Sequence, residues 1–401
     1  MEKIFVFVVC GGDEHINILN YSIKFLKHFS KKQIYVITDL SRNNKKIDHN
    51  IIIDIKTPEK YNHHQASIYL KTGIYKWLDM DNLYCYLDSD IIAINSGVDD
   101  IFDLFVEPIS FAPDHCKIDE FSPYAVNCGC LESYEKSKNE FYKIQSEINP
   151  DFNPDKIFLT KNGRDLFCKL YEISQNPVKN IGIVMSYILQ SIFSAKKINL
   201  FNKQYTFDKK QKSWLDNSGN KVLDDILSYR KKIERMSNFK YHRRKKKWLD
   251  ENGNDFLNPK CDHLLGLIKK KYEINISPGN WQHWNGGVFL FNKNSIDFLA
   301  SWHNKTLDSF NDPDWKTRDQ GTLASTVWKF GLSNHKLLPD EFNFITDFYK
   351  PQISYNKTQG FTNDNFKNII HPNFLHVYHH FGDKNWDVWQ AIESIKNDQM
   401  T

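Results

Sequence analysis

The triplet Asp88-Ser89-Asp90 is the part of this sequence best suited to bind a metal ion. It follows the apolar residues 83–87 and precedes the apolar residues 91–94. If the strand stays extended through the triplet, Asp88 and Asp90 point to the same side and Ser89 points away. Paired carboxylates suit magnesium or manganese, which complete their coordination with water and substrate phosphates. The triplet therefore predicts a substrate that carries a diphosphate.

An Asp-x-Asp triplet also arises by chance in a chain of this size, and many such triplets are solvated turns. The position of this one favours the metal site, because it stands at the carboxyl end of an apolar strand. Open α/β sheets bind their ligands at that edge.

Two later segments could line the same site. Asn285, Gly286 and Gly287 open an apolar strand, where paired glycines permit close approach of a ligand or, alternatively, form a bulge or tight bend. Asp319-Gln320 opens a predicted helix, and a helix cap is the structural alternative for Asp319.

The third candidate segment is a strand that runs from Phe374 into a polar turn. It contains adjacent histidines, His379 and His380, followed by Gly382 and Lys384. Since neighbouring side chains on a strand point to opposite sides, one of the two histidines is expected to face the site.

The elements that must position these residues begin with a βαβ unit. We predict a strand over 4–9, a helix over 18–29 and a strand over 33–38, then a strand over 51–55 and a helix over 64–78 before the strand that enters Asp88. Parallel pairing would bring the Cys10 to Asp13 loop and the triplet to the same edge of the sheet, where a nucleotide would bind.

Composition indicates an ordinary globular protein. The chain has 401 residues, 40% of them hydrophobic, and a formal net charge of +4. Its seven cysteines contain no C-x-x-C pair, which predicts neither a disulfide framework nor a zinc site and favours a reducing compartment. The first strand is too short to span a bilayer and lacks a signal-peptide cleavage pattern, so we expect a cytoplasmic protein.

An accessory insertion is predicted over 135–275, between residues 1–134 and residues 276–401. Residues 203–271 contain nineteen Lys or Arg and nine Asp or Glu. This excess suits a solvated surface or peripheral contact with anionic lipid, and we expect no nucleic acid, since no recognised binding motif accompanies it.

The ordered set of motifs resembles glycosyltransferase family 8 and its lipopolysaccharide-glycosyltransferase relatives. The resemblance covers roughly residues 1–105 and 280–390. It rests on the opening βαβ unit, the Asp88-Ser89-Asp90 triplet, Asn285-Gly286, Asp319-Gln320 and the turn from His379 to Trp386. It implies an α/β protein of the glycosyltransferase-A fold with a helical and hairpin insertion. In that fold, residues 1–134 would be the nucleotide-sugar-binding half and residues 276–401 the acceptor half.

The resemblance also implies roles for individual residues. Manganese, or magnesium, would be held by Asp88, Asp90 and His379, with His380 as the alternative. Lys384 would contact the donor diphosphate, and Lys71 stands where the family commonly has arginine. The implied nucleotide-sugar site comprises Cys10, Gly11, Gly12, Asp13, His15, Lys71, Asp88, Ser89, Asp90, Asn285, Gly286, Gly382 and Lys384, and the implied catalytic residues are Asp319, Gln320 and Lys384.

The expected activity is metal-dependent transfer of a hexose from a UDP-sugar to a glycan, lipid-linked or protein acceptor, with retention. A sugar-nucleotide pyrophosphorylase is one alternative, although the loop after the first strand is short and acidic for that class. A non-catalytic protein that binds anionic surfaces and has a decayed site is the other.

Overall fold

The computed structural model describes residues 1–148, 166, 169–170, 172–173, 176–194, 196–224, 226–242, 244–245, 247–316, 319–349, 353–356, 360–363 and 366–399. The chain divides into two compact units. The first unit is Met1–Leu131 together with Lys260–Thr401, and the second unit is Glu132–Pro259.

The elements follow one another along the chain in three stretches. The first stretch contains β1 (Lys3–Val8), α1 (Asp13–Phe29), β2 (Gln33–Thr38), β3 (Ile52–Asp54), α2 (His63–Thr72), β4 (Leu83–Leu87), β5 (Ile91–Ala93), β6 (Ile109–Lys117), α3 (Ile118–Ala125) and α4 (Cys130–Ile148). The middle stretch contains α5 (Ile181–Phe193), β7 (Lys197–Leu200), β8 (Tyr205–Asp208), β9 (Ser213–Asp216), β10 (Lys221–Asp224), α6 (Ile226–Met236), β11 (Lys240–His242) and β12 (Lys247–Leu249). The last stretch contains α7 (His263–Tyr272), β13 (Gln282–Phe291), α8 (Ile296–Ser309), α9 (Asp319–Lys329), β14 (Phe344–Ile345), α10 (Thr346–Tyr349), β15 (Ile353–Asn356), β16 (Gly360–Asn363), β17 (Phe366–Ile370), β18 (Phe374–His376) and α11 (Asp387–Gln399).

The first unit is built on a six-stranded mixed sheet in the order β3-β2-β1-β4-β13-β6. Strands β1 to β4 pair in parallel, and β13 lies antiparallel to both β4 and β6. The predicted opening βαβ unit is confirmed, with α1 beginning five residues earlier than expected, at Asp13. Since Phe7 of β1 pairs with Leu87 of β4, the loop after β1 and the triplet after β4 meet at one edge.

Alternation along the strands divides the core of the first unit into two layers. Phe5 and Phe7 of β1 pack in one layer, while Ile4 and Val6 pack in the other. Both layers bury large apolar side chains, so the central strands are covered on both faces and held firmly. The sheet is therefore a rigid support for its loop-bearing edge.

A small second sheet has the order β14-β18-β5. Its strand β5 starts directly after Asp90, and His376 at the end of β18 pairs with Ile91 at the start of β5. This pairing brings the carboxyl-terminal part of the chain to the triplet.

The predicted insertion and the second unit have different boundaries. Helix α7 lies within residues 260–275, which we assigned to the insertion, but it packs on α3 in the first unit, where Leu264 and Ile268 join the core. The second unit contains the antiparallel sheet β10-β9-β8-β7 and the hairpin β11-β12.

The sequences of residues 212–220 and 246–254 are similar, and each segment forms a loop of the same kind. In each, the glycine N–H bonds to the oxygen of an aspartate three residues earlier: Gly219 to Asp216, and Gly253 to Asp250. The first loop joins β9 to β10, whereas the second comes after β12 and, in the described residues, leads to no strand before α7. None of the described helices is both long and apolar enough to cross a membrane.

Candidate metal and diphosphate site

The Asp88-Ser89-Asp90 triplet forms a turn rather than an extension of β4. Ile91 N donates to Asp88 O at 3.1 Å, and Asp88 N donates to Gly287 O at 2.8 Å. Ser89 O accepts a hydrogen bond from Ser22 on α1. The two carboxylates therefore converge through a tight turn, not through the strand alternation that we expected.

Asp88 and Asp90 converge with His376. One ligand atom from each of the three residues lies within 4.8 Å of the others. Asp90 Oδ1 is buried and has no hydrogen-bond partner among the described residues, and His376 Nε2 is 3.5 Å away. A buried carboxylate oxygen that faces an imidazole nitrogen and a second carboxylate fits a divalent cation, because such a cation would supply the missing positive partner.

His376 is held so that Nε2 faces the carboxylates. Its other ring nitrogen, Nδ1, lies 3.0 Å from the side-chain oxygen of Asn343. With the proton on Nδ1 and donated to Asn343, Nε2 keeps its lone pair for a metal. Asn343 is itself buried and donates through Nδ2 to Pro113 O.

The predicted histidine ligands, His379 and His380, are not the histidine that the structure places beside the carboxylates. His379 and His380 lie beyond β18 in a turn whose backbone N–H groups donate to the carboxylate of Asp347. Neither belongs to the carboxylate cluster, whereas His376 is drawn to it by the pairing of β18 with β5. His379 was preferred because of its spacing to Gly382 in the sequence. That spacing gives no information about which histidine lies at the end of β18.

Lys71 forms ion pairs with two carboxylates of this site. Its buried Nζ lies 3.2 Å from Asp88 Oδ1 and 3.0 Å from Asp319 Oδ2. Burial works to lower the pKa of Lys71, but the attraction of Asp319 and Asp88 outweighs burial and raises it. Lys71 is therefore a fixed cation that holds carboxylates from α9 and from the triplet in one place.

Asp88 and Asp90 have different surroundings. Asp88 Oδ1 accepts a hydrogen bond of 2.6 Å from the hydroxyl of Tyr86, which lies two residues earlier on β4. Burial raises the pKa of Asp90; the imidazole of His376 opposes this effect, and the neighbouring charge of Asp88 adds to it. Repulsion between the two carboxylates would be relieved by a bound cation.

The Asn285 to Gly287 segment lies directly against the cluster. A Cβ on Gly287 would come within 2.9 Å of Asp88 Oδ2 and 3.1 Å of His376 Cε1, so only glycine fits here. A Cβ on Gly286 would meet Lys71 Nζ at 3.5 Å, which is ordinary contact. The glycine pair thus lets the triplet and His376 pack onto the backbone of β13.

Asn285 is anchored by a buried carboxylate that the sequence did not single out. Its Nδ2 donates to Asp114 Oδ2 at 3.1 Å, and its Oδ1 accepts from Gly287 N at 2.8 Å. Burial alone would raise the pKa of Asp114. The hydrogen bond from His115, the charges of His283 and His115, and the hydrogen bond from Asn285 together lower this pKa to about 2. Asp114 is thus an ionised support for the segment.

Asp319 and Gln320 are the first described residues of α9. The Asp319 side chain reaches Lys71 instead of capping its own helix, while its backbone oxygen accepts from the Trp302 indole. Gln320 Oε1 is buried, and the Gln320 side chain interacts with the buried ring of His283.

The loop after β1 is held in a glycine conformation. Gly11 has φ +84°, donates its N–H to Asn43 Oδ1, and leaves no room for a Cβ beside the His63 ring. Cys10 is buried, and burial raises the pKa of its thiol to about 11. Gly12 precedes α1, and Asp13 and His15 lie exposed in the first turn of that helix.

Gly382 and Lys384 are exposed in the turn before α11. Gly382 has φ +82°, and Lys384 O accepts a hydrogen bond from Gln390. No contact joins Lys384 to the carboxylate cluster among the described residues, so its role toward a diphosphate stays a prediction.

Tyr86, Asp114, Asn343 and His376 are the site residues that sequence reasoning missed. The signal for Tyr86 was present, since the expected extended strand would place Tyr86 on the same face as Asp88. The other three reach the site only through long-range pairing.

No protein-family model and no curated protein matches this sequence. Among solved structures, the chain is similar to the bifunctional glycosyltransferase WbbM (11% identity, TM-score 0.36), with 94% of this chain and 45% of that chain covered. It is also similar to mouse xyloside xylosyltransferase 1 (8% identity, TM-score 0.36, 96% and 99% covered) and to the galactosyltransferase LgtC (15% identity, TM-score 0.21, 28% and 46% covered). The chain spans less than half the length of WbbM, and likenesses at these TM-scores assign no family.

Proposed function

We propose that this protein is a metal-dependent glycosyltransferase of the family 8 type that transfers a hexose from a UDP-sugar. One observation carries the proposal: Asp88, Asp90 and His376 converge at the carboxyl ends of the parallel strands β1 and β4, beside the loop that follows β1. That edge is where α/β sheets bind nucleotides, and the three ligand types suit manganese or magnesium.

A bound divalent cation would neutralise the diphosphate and so stabilise it as a leaving group. Asp88, Asp90 and His376 would hold that cation, and Asn343 would keep His376 oriented toward it. The other ligand positions would be left for water and phosphate oxygens.

The remaining site residues would bind and orient the donor. Lys71 fixes the positions of Asp88 and Asp319 before substrate arrives, which reduces the cost of organising the site. Gln320, which follows Asp319 at the start of α9, has an amide side chain suited to bind a sugar hydroxyl. The Cys10 to Asp13 loop and His15 are suited to the nucleoside.

We propose that transfer retains the anomeric configuration. Asp319 is already bound to Lys71, and Gln320 is a poor nucleophile, so a front-face reaction in which the leaving phosphate accepts the acceptor proton fits this site best. Proton NMR of the first-formed product tests this step, because an inverted product would exclude it.

The acceptor is proposed to be a glycan, a lipid-linked sugar or a protein. A contact with anionic membrane is supported by the second unit, where α5 exposes apolar side chains on a stretch of chain that precedes many basic residues. A lipid-linked acceptor would be reached from such a surface.

The decisive experiment for the activity is a donor screen. UDP release from UDP-glucose, UDP-galactose and UDP-N-acetylhexosamines would be measured with and without manganese, in the wild type and in Asp88→Asn. We expect manganese-dependent release from one donor and its loss in the variant. A pyrophosphorylase would instead form UTP from UDP-sugar and pyrophosphate, and a non-catalytic protein would release no UDP from any donor.

A further inference from the structure

Three cysteines and one histidine gather at a second place in the first unit. Cys128 and Cys130 come from the end of its amino-terminal part, and Cys261 and His263 from the start of its carboxyl-terminal part. One ligand atom from each lies within 4.8 Å of all the others. The cluster shares no residue with the carboxylate site.

We propose that these four residues form a structural zinc site. Zinc bound at about 2.3 Å from sulfur and about 2.05 Å from nitrogen in a tetrahedron requires sulfur atoms about 3.8 Å apart and a sulfur–nitrogen separation of about 3.6 Å. In the structure, Cys128 Sγ and Cys261 Sγ are 3.9 Å apart, and Cys130 Sγ and His263 Nδ1 are 3.6 Å apart. Three cysteines with one histidine are a common ligand set of structural zinc.

The same distances argue against a disulfide bond between these cysteines. A disulfide requires a sulfur–sulfur bond of about 2.05 Å, which is much shorter than the separation of Cys128 and Cys261. All the cysteines whose state the structure describes are free. Zinc binds to deprotonated thiols, and this cluster provides all four ligands that one zinc ion requires.

Backbone contacts fix the two chain segments that carry the ligands. Gly129, with φ +72°, forms the bend between Cys128 and Cys130 at the start of α4. Cys261 N donates to Asp119 O at 3.0 Å, and the Ser122 hydroxyl lies 3.1 Å from Cys261 Sγ while accepting from Leu264 N. Helix α3 thus positions the second segment beside the first without help from the metal.

The position of the cluster indicates what the zinc does. The chain leaves the first unit after Leu131 and returns at Lys260, so the ligands stand on the outgoing and incoming segments. Cys128 and Cys261 are 133 residues apart in sequence, and a metal that joins them closes a long loop, for which the stabilisation gained by cross-linking is large. The zinc would therefore tie the two segments together where the second unit departs.

An entry route for the metal is also present. Cys128 and His263 line an open groove of about 580 Å³, whose other wall includes Asp314. His263 is exposed, while the three cysteines are half-buried. Zinc can therefore reach the cluster from solvent in the folded protein.

The first test is the metal content and spectrum of the full-length protein. Protein purified without chelator should contain about one zinc ion per chain. Replacement by cobalt should give the thiolate-to-cobalt charge-transfer absorption that carboxylate and imidazole ligands do not produce. Absence of zinc after incubation with zinc chloride, a disulfide between these cysteines by mass spectrometry, or cobalt absorption without the thiolate band would each overturn the proposal.

The second test uses variants and separates this site from the carboxylate site. Cys128→Ser and His263→Ala should each lower bound zinc to less than about one tenth of the wild-type content, consistent with loss of a ligand. Cys85→Ala, a buried cysteine in β4, and His28→Ala, an exposed histidine on α1, are the matched controls and should keep it. Asp88→Asn should also keep it; zinc lost from Asp88→Asn but kept by Cys128→Ser would contradict the assignment.

Discussion

At the scale of single residues, His376 distinguishes this site from the one expected from the sequence. His376 Nε2 faces Asp90, while His379 lies in a turn organised by Asp347. We predict that His376→Ala weakens manganese binding at least about 100-fold, because it removes a ligand and leaves Asp88 and Asp90 to repel each other. His379→Ala is the matched control and should bind manganese like the wild type.

The measurement is manganese titration followed by electron paramagnetic resonance of the free ion, with circular dichroism to verify folding. Equal weakening by the two variants would contradict the assignment of His376. Weakening by His379→Ala alone would restore the original prediction.

A second residue-scale prediction concerns the two adjacent glycines. An alanine methyl at Gly287 would come within 2.8 Å of Asn285 Oδ1, which Asp114 holds in place, so the strand or the triplet must shift. We expect Gly287→Ala to lower the free energy of unfolding by about 1–3 kcal/mol, as overpacking does. Gly286→Ala meets only ordinary contacts and should change it by less than about 1 kcal/mol.

Urea unfolding of both variants checks this prediction. If Gly286→Ala were the more destabilised, the described packing of β13 against the triplet would be wrong.

At the scale of elements, α2 and α8 meet through a buried histidine. His303 Nδ1 lies 2.8 Å from the Thr72 hydroxyl, and the side chain is fully buried. Burial, with a contribution from Lys76, lowers the pKa of His303 from 6.5 to about 4. The folded protein therefore keeps this histidine neutral where the unfolded chain would protonate it.

The sign of the resulting pH dependence follows from that difference. Below about pH 6.5 the unfolded state takes up a proton that the fold excludes, so stability is present above this pH and is lost as the pH falls toward about 4. The contribution of His303 to the free energy of unfolding should fall by up to about 1.4 kcal/mol per pH unit in this range. The free energy of unfolding would be measured with urea at about pH 7 and about pH 5. Its decrease between the two should be smaller for His303→Gln than for the wild type or for the exposed control His28→Gln. An equal change in all three would contradict the assignment.

The elements also show which parts of the protein could be predicted from sequence. Asp88 and the strand before it carry a local signal, an apolar run that ends in charge, and the structure places both as expected at one sheet edge. His376 could not be chosen, because its position depends on the pairing of β18 with β5, which joins segments far apart in the chain. The cysteine cluster was missed for the same reason, since C-x-C and C-x-H are each too short to indicate a metal site alone.

At the scale of the whole molecule, the second unit carries a helix, α5, with exposed apolar side chains. In α5 the exposed apolar side chains recur at helical spacing: Ile181, Met185, Ile188, Leu189, Ile192 and Phe193. A helix of this length is too short to span a bilayer but can lie in its surface. Because residues 203–271 carry an excess of basic side chains, we propose anionic lipid as the surface that this helix contacts.

We predict that the protein co-sediments with phosphatidylglycerol vesicles and not with phosphatidylcholine vesicles. Replacing Ile188 and Ile192 by glutamate should abolish this binding, since it adds negative charge to the apolar stripe. Ser186→Glu, on the same helix, is the control for added charge alone. Unchanged vesicle binding in the double variant, or a wild-type dimer that the double variant dissociates, would contradict the assignment of this face to lipid.

The central claim is that Asp88, Asp90 and His376 hold one divalent cation that binds a nucleoside diphosphate. Isothermal titration of UDP into the protein, with manganese and in metal-free buffer, tests it most directly when Asp90→Asn is measured beside the wild type. We expect UDP to bind in manganese and to bind at least about tenfold more weakly without it or in the variant. Equal UDP affinity with and without manganese, or an Asp90→Asn protein that binds like the wild type, would contradict the account.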